Sequence, residues 1–513
     1  MLTVTGTPNP WSLRGCHPSA TSADSPAAMD LLRHWVKECS TTHSRCRISV
    51  DPALPTRVLD LGSAASGTIT LCETNGVTGR YICLSYCWGQ TEFINTTRDT
   101  LKLHKQGIAI GNLPQTFQDT IHISRALGIR YVWIDSLCII QQEKDHADWK
   151  RESGRMVDVY RNSYLTVAAT GADSANGGCF ATLESGVDIG PVKMRAIRHF
   201  PSTATIGSST SFPLLTRAWA YQERLLAPRV IHFSGQELVW ECREHRTCEC
   251  GQTRYTRKQV NKSDFHDTIS EFRWDKSRTP QQTWRQMVMQ YSPLQLTYAN
   301  DKLPAFSGLA DEMRRNSNQN YLAGLWMDSL ILDMCWHRPI SENNQPSCEA
   351  VGRAPSWSWA SVDGPVEYYD GLYAGGPDHE HGTRQYPEVI AAECSLAGPS
   401  LTGQVSHGSV EFRCCMVPAS VQGNSIDIGM ISNFTWYSDE RCIIEKQGEY
   451  YFIPLARIGQ YFCGIVVKPI HPGSETFIRI GFANMQNIFG LEIDDLGLIV
   501  EMVTGAKRVV RIV

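Results

Sequence analysis

A glutamate set between large apolar groups is the residue of this chain whose surroundings most need a chemical explanation. In Trp219-Ala220-Tyr221-Gln222-Glu223-Arg224-Leu225-Leu226, helical spacing places Trp219, Glu223 and Leu226 on one face, at i, i+4 and i+7. A carboxyl in that setting has its pKa raised or takes a cation, and the structural alternative is a salt bridge to Arg217, Arg224 or Arg229. A second carboxylate, Asp135, directly follows the apolar run Tyr131-Val132-Trp133-Ile134. There it needs a task, or else it caps a loop or pairs with an arginine. Trp88 and Trp219 are large enough to stack on a planar ring, although such aromatics more often fill a core.

Cysteine offers further chemistry, since Cys87 and Cys138 each follow a strand-like run. No histidine lies near either in sequence to activate a thiolate, so both read as small hydrophobes. Cys39-x3-His43-x2-Cys46 and the group Cys242, His245, Cys248 and Cys250 contain zinc-capable residue types. Neither has the paired C-x2-C spacing of common structural sites, and no metal centre is expected. The chain also lacks a G-x-S-x-G elbow, a Walker A loop, a G-x-G-x-x-G after a strand and an H-E-x-x-H; His379-Glu380-His381 has the wrong spacing for the last. Serine hydrolase, P-loop ATPase, dinucleotide oxidoreductase and zincin chemistries are disfavoured.

The elements that must position these residues begin at Tyr81–Cys87, a short apolar run ended by Trp88-Gly89. A helix follows from Leu113-Pro114, with Phe117, Ile121, Ser124 and Leu127 on one face and Gly128 at its end. Tyr131–Ile134 is a second buried strand; Trp149, Ser153, Met156 and Tyr160 form one stripe of a second helix; Tyr164–Ala169 is a third strand. Two such crossovers predict a parallel sheet covered by helices. Ligands of such sheets bind beyond the carboxyl ends of the strands, so Trp88, Gly89, Asp135, Ser136, Thr170 and Gly171 should line one rim, with Ser85 inside the first strand. Downstream, helical patterns cover Trp284–Tyr298 and Leu303–Arg314, then comes the segment Ala354–Ser361, then short strand-like runs such as Val410–Cys415, Tyr450–Leu455 and Tyr461–Val467. The predicted organisation is a disordered leader (1–28), an N-terminal segment packing on the core (29–80), an α/β domain (81–245), a helical connector (246–366) and a β-rich C-terminal domain (367–513).

With 513 residues the chain exceeds one typical domain. Its 48 basic against 52 acidic side chains leave no electrostatic footprint for nucleic acid, and no apolar run approaches a membrane span. Residues 1–28 lack a basic start and an apolar stretch, so they do not read as a secretion signal. A cytoplasmic setting is expected, with the 18 cysteines mostly reduced.

Three blocks, YICLSYCWG (81–89), the stretch from LPQTFQDTI through YVWIDSLCIIQ to YLTVAATGADSANGGCF (113–180), and RAWAYQERLLAPRVIHFSGQELVWEC (217–242), resemble the fungal heterokaryon-incompatibility (HET) domain. LTYANDKLPAFSGLA (296–310) and APSWSWASVDGPV (354–366) resemble segments that often follow it. The resemblance implies an intracellular fungal protein of the class that triggers cell death when incompatible hyphae fuse. HET domains have been proposed as distant relatives of TIR domains, some of which cleave NAD, so the implied fold is flavodoxin- or TIR-like. On that analogy Trp219 and Glu223 match the TIR helix that carries a tryptophan and the catalytic glutamate. Glu223 and Asp135 would then be catalytic, with Ser85, Trp88, Gly89, Ser136 and Trp219 binding substrate. NAD would be a substrate, with no cofactor implied. A carboxylate suits this reaction because cleaving the nicotinamide–ribose bond passes through an oxocarbenium-like state. Two other readings stand beside this one: a non-catalytic module that self-associates or binds a protein partner, and an enzyme of secondary metabolism acting on a small organic ligand.

Overall fold

In the computed structural model of the chain, the described residues are 2–5, 22–47, 50–63, 65–141, 147–180, 187–189, 192–196, 211–251, 259–270, 278–317, 319–340, 352–369, 372, 383–398, 400–422, 425–439, 448–486 and 493–513. His379-Glu380-His381 lies outside them. The chain divides into two compact units, Met1–Arg257 with Asn261–His266 and Lys258–Val260 with Asp267–Val513. Most of the stretch expected to be a helical connector thus belongs to the second unit.

A nine-stranded sheet forms the first unit. Its strands are β1 (Arg57–Asp60), β2 (Thr68–Glu73), β3 (Tyr81–Ser85), β4 (Ile108–Ala109), β5 (Tyr131–Trp133), β6 (Leu165–Ala168), β7 (Arg229–Phe233), β8 (Leu238–Cys242) and β9 (Arg246–Cys248), in the order β9-β8-β7-β6-β3-β5-β1-β2-β4. All five residues of β3 are buried, as a strand covered on both faces requires. Strands β3, β5, β6 and β7 run parallel, and in chain order these four lie 2-1-3-4. On either side β8 and β1 run antiparallel to this core. The sheet is therefore mixed, which corrects the expectation of a parallel sheet alone. An apolar run locates a strand without giving its direction, and the short link between β7 and β8 permits only a hairpin.

Helix α1 (Pro26–Thr42) starts at Ser25, whose side chain accepts from the Ala28 N–H, with Pro26 in the first turn. Its Trp35 ring lies 6.3 Å from that of Trp240 on β8, so the helix packs on the sheet. Part of the stretch expected to be a disordered leader is ordered: Leu2–Thr5 is a strand paired antiparallel with Val192–Ala196. Helix α2 (Gln115–Ala126) buries Phe117, Ile121 and Ser124 between β3 and β5 in sequence. The stripe from Trp149 to Tyr160 is two helices, α3 (Ala147–Ser153) and α4 (Met156–Arg161), broken at Gly154. Helix α5 (Ala218–Leu226) precedes β7 and buries Glu223.

In the second unit, helices α6 (Pro280–Tyr291) and α7 (Pro304–Ser317) accompany five fully buried indoles: Trp284, Trp326, Trp336, Trp357 and Trp359. Trp284 and Trp359 both donate to the Gly324 carbonyl at 2.9 Å. Gly324 has φ +101°, and an added Cβ would lie 2.6 Å from Trp359 Nε1. Gly324→Ala therefore combines a strained backbone with overpacking and is expected to cost about 3 kcal/mol. Thermal unfolding of the full chain checks this: a melting temperature within a degree of wild type would contradict it.

Beyond the indoles lie strands β10 (Thr383–Gln385), β11 (Glu388–Leu396), β12 (Val405–Cys414), β13 (Val417–Gln422), β14 (Ser425–Ile428), β15 (Ile431–Ser438), β16 (Tyr450–Ile458), β17 (Tyr461–Pro469), β18 (Thr476–Met485) and β19 (Arg508–Ile512). Six of them close into a ring, β13-β14-β15-β18-β17-β16, and β13 returns to β16. Phe434, Phe452, Phe462 and Ile480 belong to the core of this barrel, joined by Ile499 and Met502 of helix α8 (Ile493–Thr504). Among the described residues no helix is long and apolar enough to cross a membrane.

Candidate functional site

The order 2-1-3-4 creates one switch point, between β3 and β6, where the chain leaves the sheet in two directions; in open sheets of this kind ligands bind beyond the carboxyl ends at such a point. Ser85 closes β3, and its Oγ donates to Glu223 Oε2 at 2.5 Å across 138 residues of sequence. Both residues are buried, at 4% and 8% exposure. Burial pushes the Glu223 carboxyl up to about 7; the neighbouring Asp135 charge adds to this, while the Ser85 hydrogen bond, Arg217 and Tyr160 oppose it.

Asp135 opens a single helical turn, Asp135–Cys138, after β5. Its Oδ1 accepts from Tyr86 Oη at 3.0 Å and from the Ser136 N–H at 2.6 Å, and its Oδ2 from Trp88 Nε1 at 2.9 Å. Tyr86 Oη lies 2.9 Å from Ser136 Oγ, and with its one proton given to Asp135 it accepts from the serine hydroxyl. Burial raises the Asp135 carboxyl, against these hydrogen bonds and Arg217. Asp135, Ser136 and Trp88 are thereby one hydrogen-bonded group, linked to Ser85 and Glu223 through the mutual field of the two carboxylates and their shared neighbour Arg217. Gly89 sits beside this group with φ +78°, its Cα so close to Ser174 that a Cβ would fall 2.6 Å from the serine's own. Trp219 lies one turn before Glu223 on α5 and is partly exposed. Thr170 and Gly171 lie further along the sheet, where Thr170 Oγ1 meets His232 Nδ1 at 2.9 Å and the Gly171 N–H donates to the Phe233 carbonyl.

Two of the three arginines weighed as partners for Glu223 are engaged elsewhere. Arg224 makes a two-point contact with Glu241, at 2.6 and 2.7 Å, and Arg229 turns toward Cys39 and the Cys46 carbonyl. Arg217, at the start of α5, is the third, and it also faces the Cys87 thiol. The C-terminal end of α5 is fixed by Lys262, whose ammonium donates to the carbonyls of Arg224, Leu225 and Ala227. Burial pushes the thiols of Cys87 and Cys138 up, the latter to about 12, so neither is a ready thiolate nucleophile. Tyr160 escaped the sequence reading as a neighbour of Glu223, and Arg217 entered it only as a salt-bridge candidate. Arg217 immediately precedes the helix that carries Glu223, and Tyr160 was read only as one member of an apolar stripe.

The class defined by this fold is an α/β domain with a buried and a half-buried carboxyl, Glu223 and Asp135, and an arginine near the switch point of its parallel core. The family model described as heterokaryon incompatibility protein (HET) matches residues 81–223, which runs from the first residue of β3 to Glu223 itself. Residues 81–223 are thus similar to a HET domain. Comparison with curated proteins and with solved structures found no match.

Proposed function

We propose that this HET domain is a cell-death effector that hydrolyses the glycosidic bond between nicotinamide and ribose in NAD. One observation carries the reading: Glu223 is a buried carboxyl at the sheet's switch point, held by Ser85 and free of an ion pair among the described residues. The 2-1-3-4 order of the parallel strands supports the flavodoxin- or TIR-like comparison. Ionised Glu223 would stabilise the positive charge that builds on the ribose as nicotinamide departs. Arg217 would face the diphosphate, and Trp88, oriented by Asp135, would stack on a ring of the substrate. Water attacks the anomeric carbon, neutral nicotinamide leaves with the bonding electrons, and ADP-ribose and one proton are released. Incubating the full chain with NAD, alone and clustered, and following nicotinamide by chromatography tests this. No release at high protein concentration would end the proposal and leave Glu223 as a structural hydrogen-bond acceptor in a self-associating module.

A further inference from the structure

Outside the rim, the fold gathers residues that are far apart in sequence. Cys39 lies near the end of α1, His43 is its C-terminal cap, Cys46 ends the 3-10 turn Ser44–Cys46, and Cys242 is the last residue of β8. Their ligand atoms all lie within 4.8 Å of one another, with Cys242 Sγ 3.3 Å from His43 Nδ1. A tetrahedral zinc with Zn–S bonds of about 2.3 Å requires sulfurs about 3.8 Å apart, so the cluster has the size of a zinc site before any ion is placed. The first three ligands were set aside in the sequence because their spacing lacks a C-x2-C pair; β8 supplies the fourth.

A second observation points the same way. Arg229 is 1% exposed, and among the described residues no carboxylate pairs with it, whereas each of the four other buried arginines pairs with an aspartate. Its Nε donates to Cys39 Sγ at 3.3 Å and its Nη2 to the Cys46 carbonyl at 2.5 Å, while the His245 N–H donates to Cys242 Sγ at 3.2 Å. Arg229 also donates to the Tyr164 carbonyl at 3.1 Å and lies over the Tyr164 ring, but a buried guanidinium demands a counter-charge, and among these partners Cys39 Sγ is the one that can carry it. Three thiolates, one divalent cation and Arg229 sum to no net charge.

We propose that Cys39, His43, Cys46 and Cys242 bind one Zn2+ in a closed, structural site. Three sulfurs and one imidazole nitrogen select a soft tetrahedral ion over magnesium or calcium, and four protein ligands leave no position for water or substrate. Arg229 and the His245 N–H are the surrounding donors that temper the thiolate charge. The ion ties α1 to the end of β8 and, through Arg229, to the first residue of β7, so its role is to hold the N-terminal helix on the sheet. It stands whether or not the domain cleaves NAD.

Elemental analysis of the full chain, purified without a metal-affinity tag, is expected to find about one zinc per chain. Cys46→Ser and Cys242→Ser should each lose that equivalent, and His43→Cys, which makes a four-sulfur set, should keep it. Cobalt exchanged into wild type should give tetrahedral ligand-field bands and a thiolate-to-cobalt charge-transfer band, the latter shifted in His43→Cys. Should the serine variants not fold, wild type alone decides: a mercurial that blocks thiols must release zinc to an indicator. The proposal is overturned by wild type that neither retains nor takes up Zn2+, or by a disulfide among Cys39, Cys46 and Cys242 in unreduced peptide maps. Zinc that persists in Cys242→Ser also overturns it, and would place the ion at Glu237, Cys248 and Cys250, the other such group among the described residues.

Discussion

Glu223→Gln is expected to abolish nicotinamide release and, above pH 7, to make the protein more stable than wild type. The amide oxygen keeps the hydrogen bond from Ser85, but the side chain carries no charge to steady a cationic transition state. The stability gain follows from linkage. Glu223 has its folded pKa raised to about 7 from 4.5, so the folded protein binds this proton more tightly than the unfolded chain does. Its contribution is neutral below the unfolded pKa, becomes unfavourable as pH rises from about 4.5 to 7, and is fully present above that. The size is on the order of 3 kcal/mol at most, taking 1.36 kcal/mol per pKa unit. Melting curves of wild type and Glu223→Gln should therefore coincide near pH 4.5 and separate by roughly 5 to 10 °C at pH 8. Wild-type turnover should rise with pH through about 7 as the carboxyl ionises. If Glu223→Gln instead melts lower than wild type at pH 8, Glu223 is a stabilising structural group and the catalytic assignment fails.

The other large effect is expected in the second unit. Arg479, on β18, is fully buried and pairs through Nε with Asp439 Oδ2 at 2.7 Å. It donates to the Met334 and Trp336 carbonyls at 2.7 and 2.6 Å and lies 3.4 Å above the Trp336 ring. Arg479→Met removes all of these and strips the buried Asp439 carboxylate of its guanidinium. Breaking a buried pair from one side costs about 3 to 5 kcal/mol, so the transition of this unit should fall by roughly 10 °C. Adding Asp439→Asn should return part of that loss, since a neutral amide no longer needs the cation. A double variant as unstable as the two single losses combined would show that the arginine acts through its carbonyl contacts and not through the ion pair.

Much of the first unit is legible in the sequence because its central strands are buried on both faces. Tyr81–Ser85, Tyr131–Trp133, Leu165–Ala168 and Arg229–Phe233 are short apolar runs ended by polar or glycine signals. Such runs give position but not direction, so the antiparallel flanks on both sides of the core were not foreseen. The candidate rim was readable for the same reason, since a strand's end names its own residues. What the sequence hides is partnership across distance. No local pattern links Ser85 to Glu223, Arg229 to Cys39, or Cys242 to His43, and the closure of six strands into a barrel depends on pairings of equal remoteness.

The 138 residues between Ser85 and Glu223 also set a clock. A chain still being synthesised at roughly 5 to 20 residues per second needs on the order of 10 s to travel from one to the other. Throughout that interval it displays Trp88 and then Asp135 without the helix that completes the cluster. A product interrupted anywhere before Ala218 holds half of the site, so on the proposed function no nicotinamide would be released until α5 has emerged and docked.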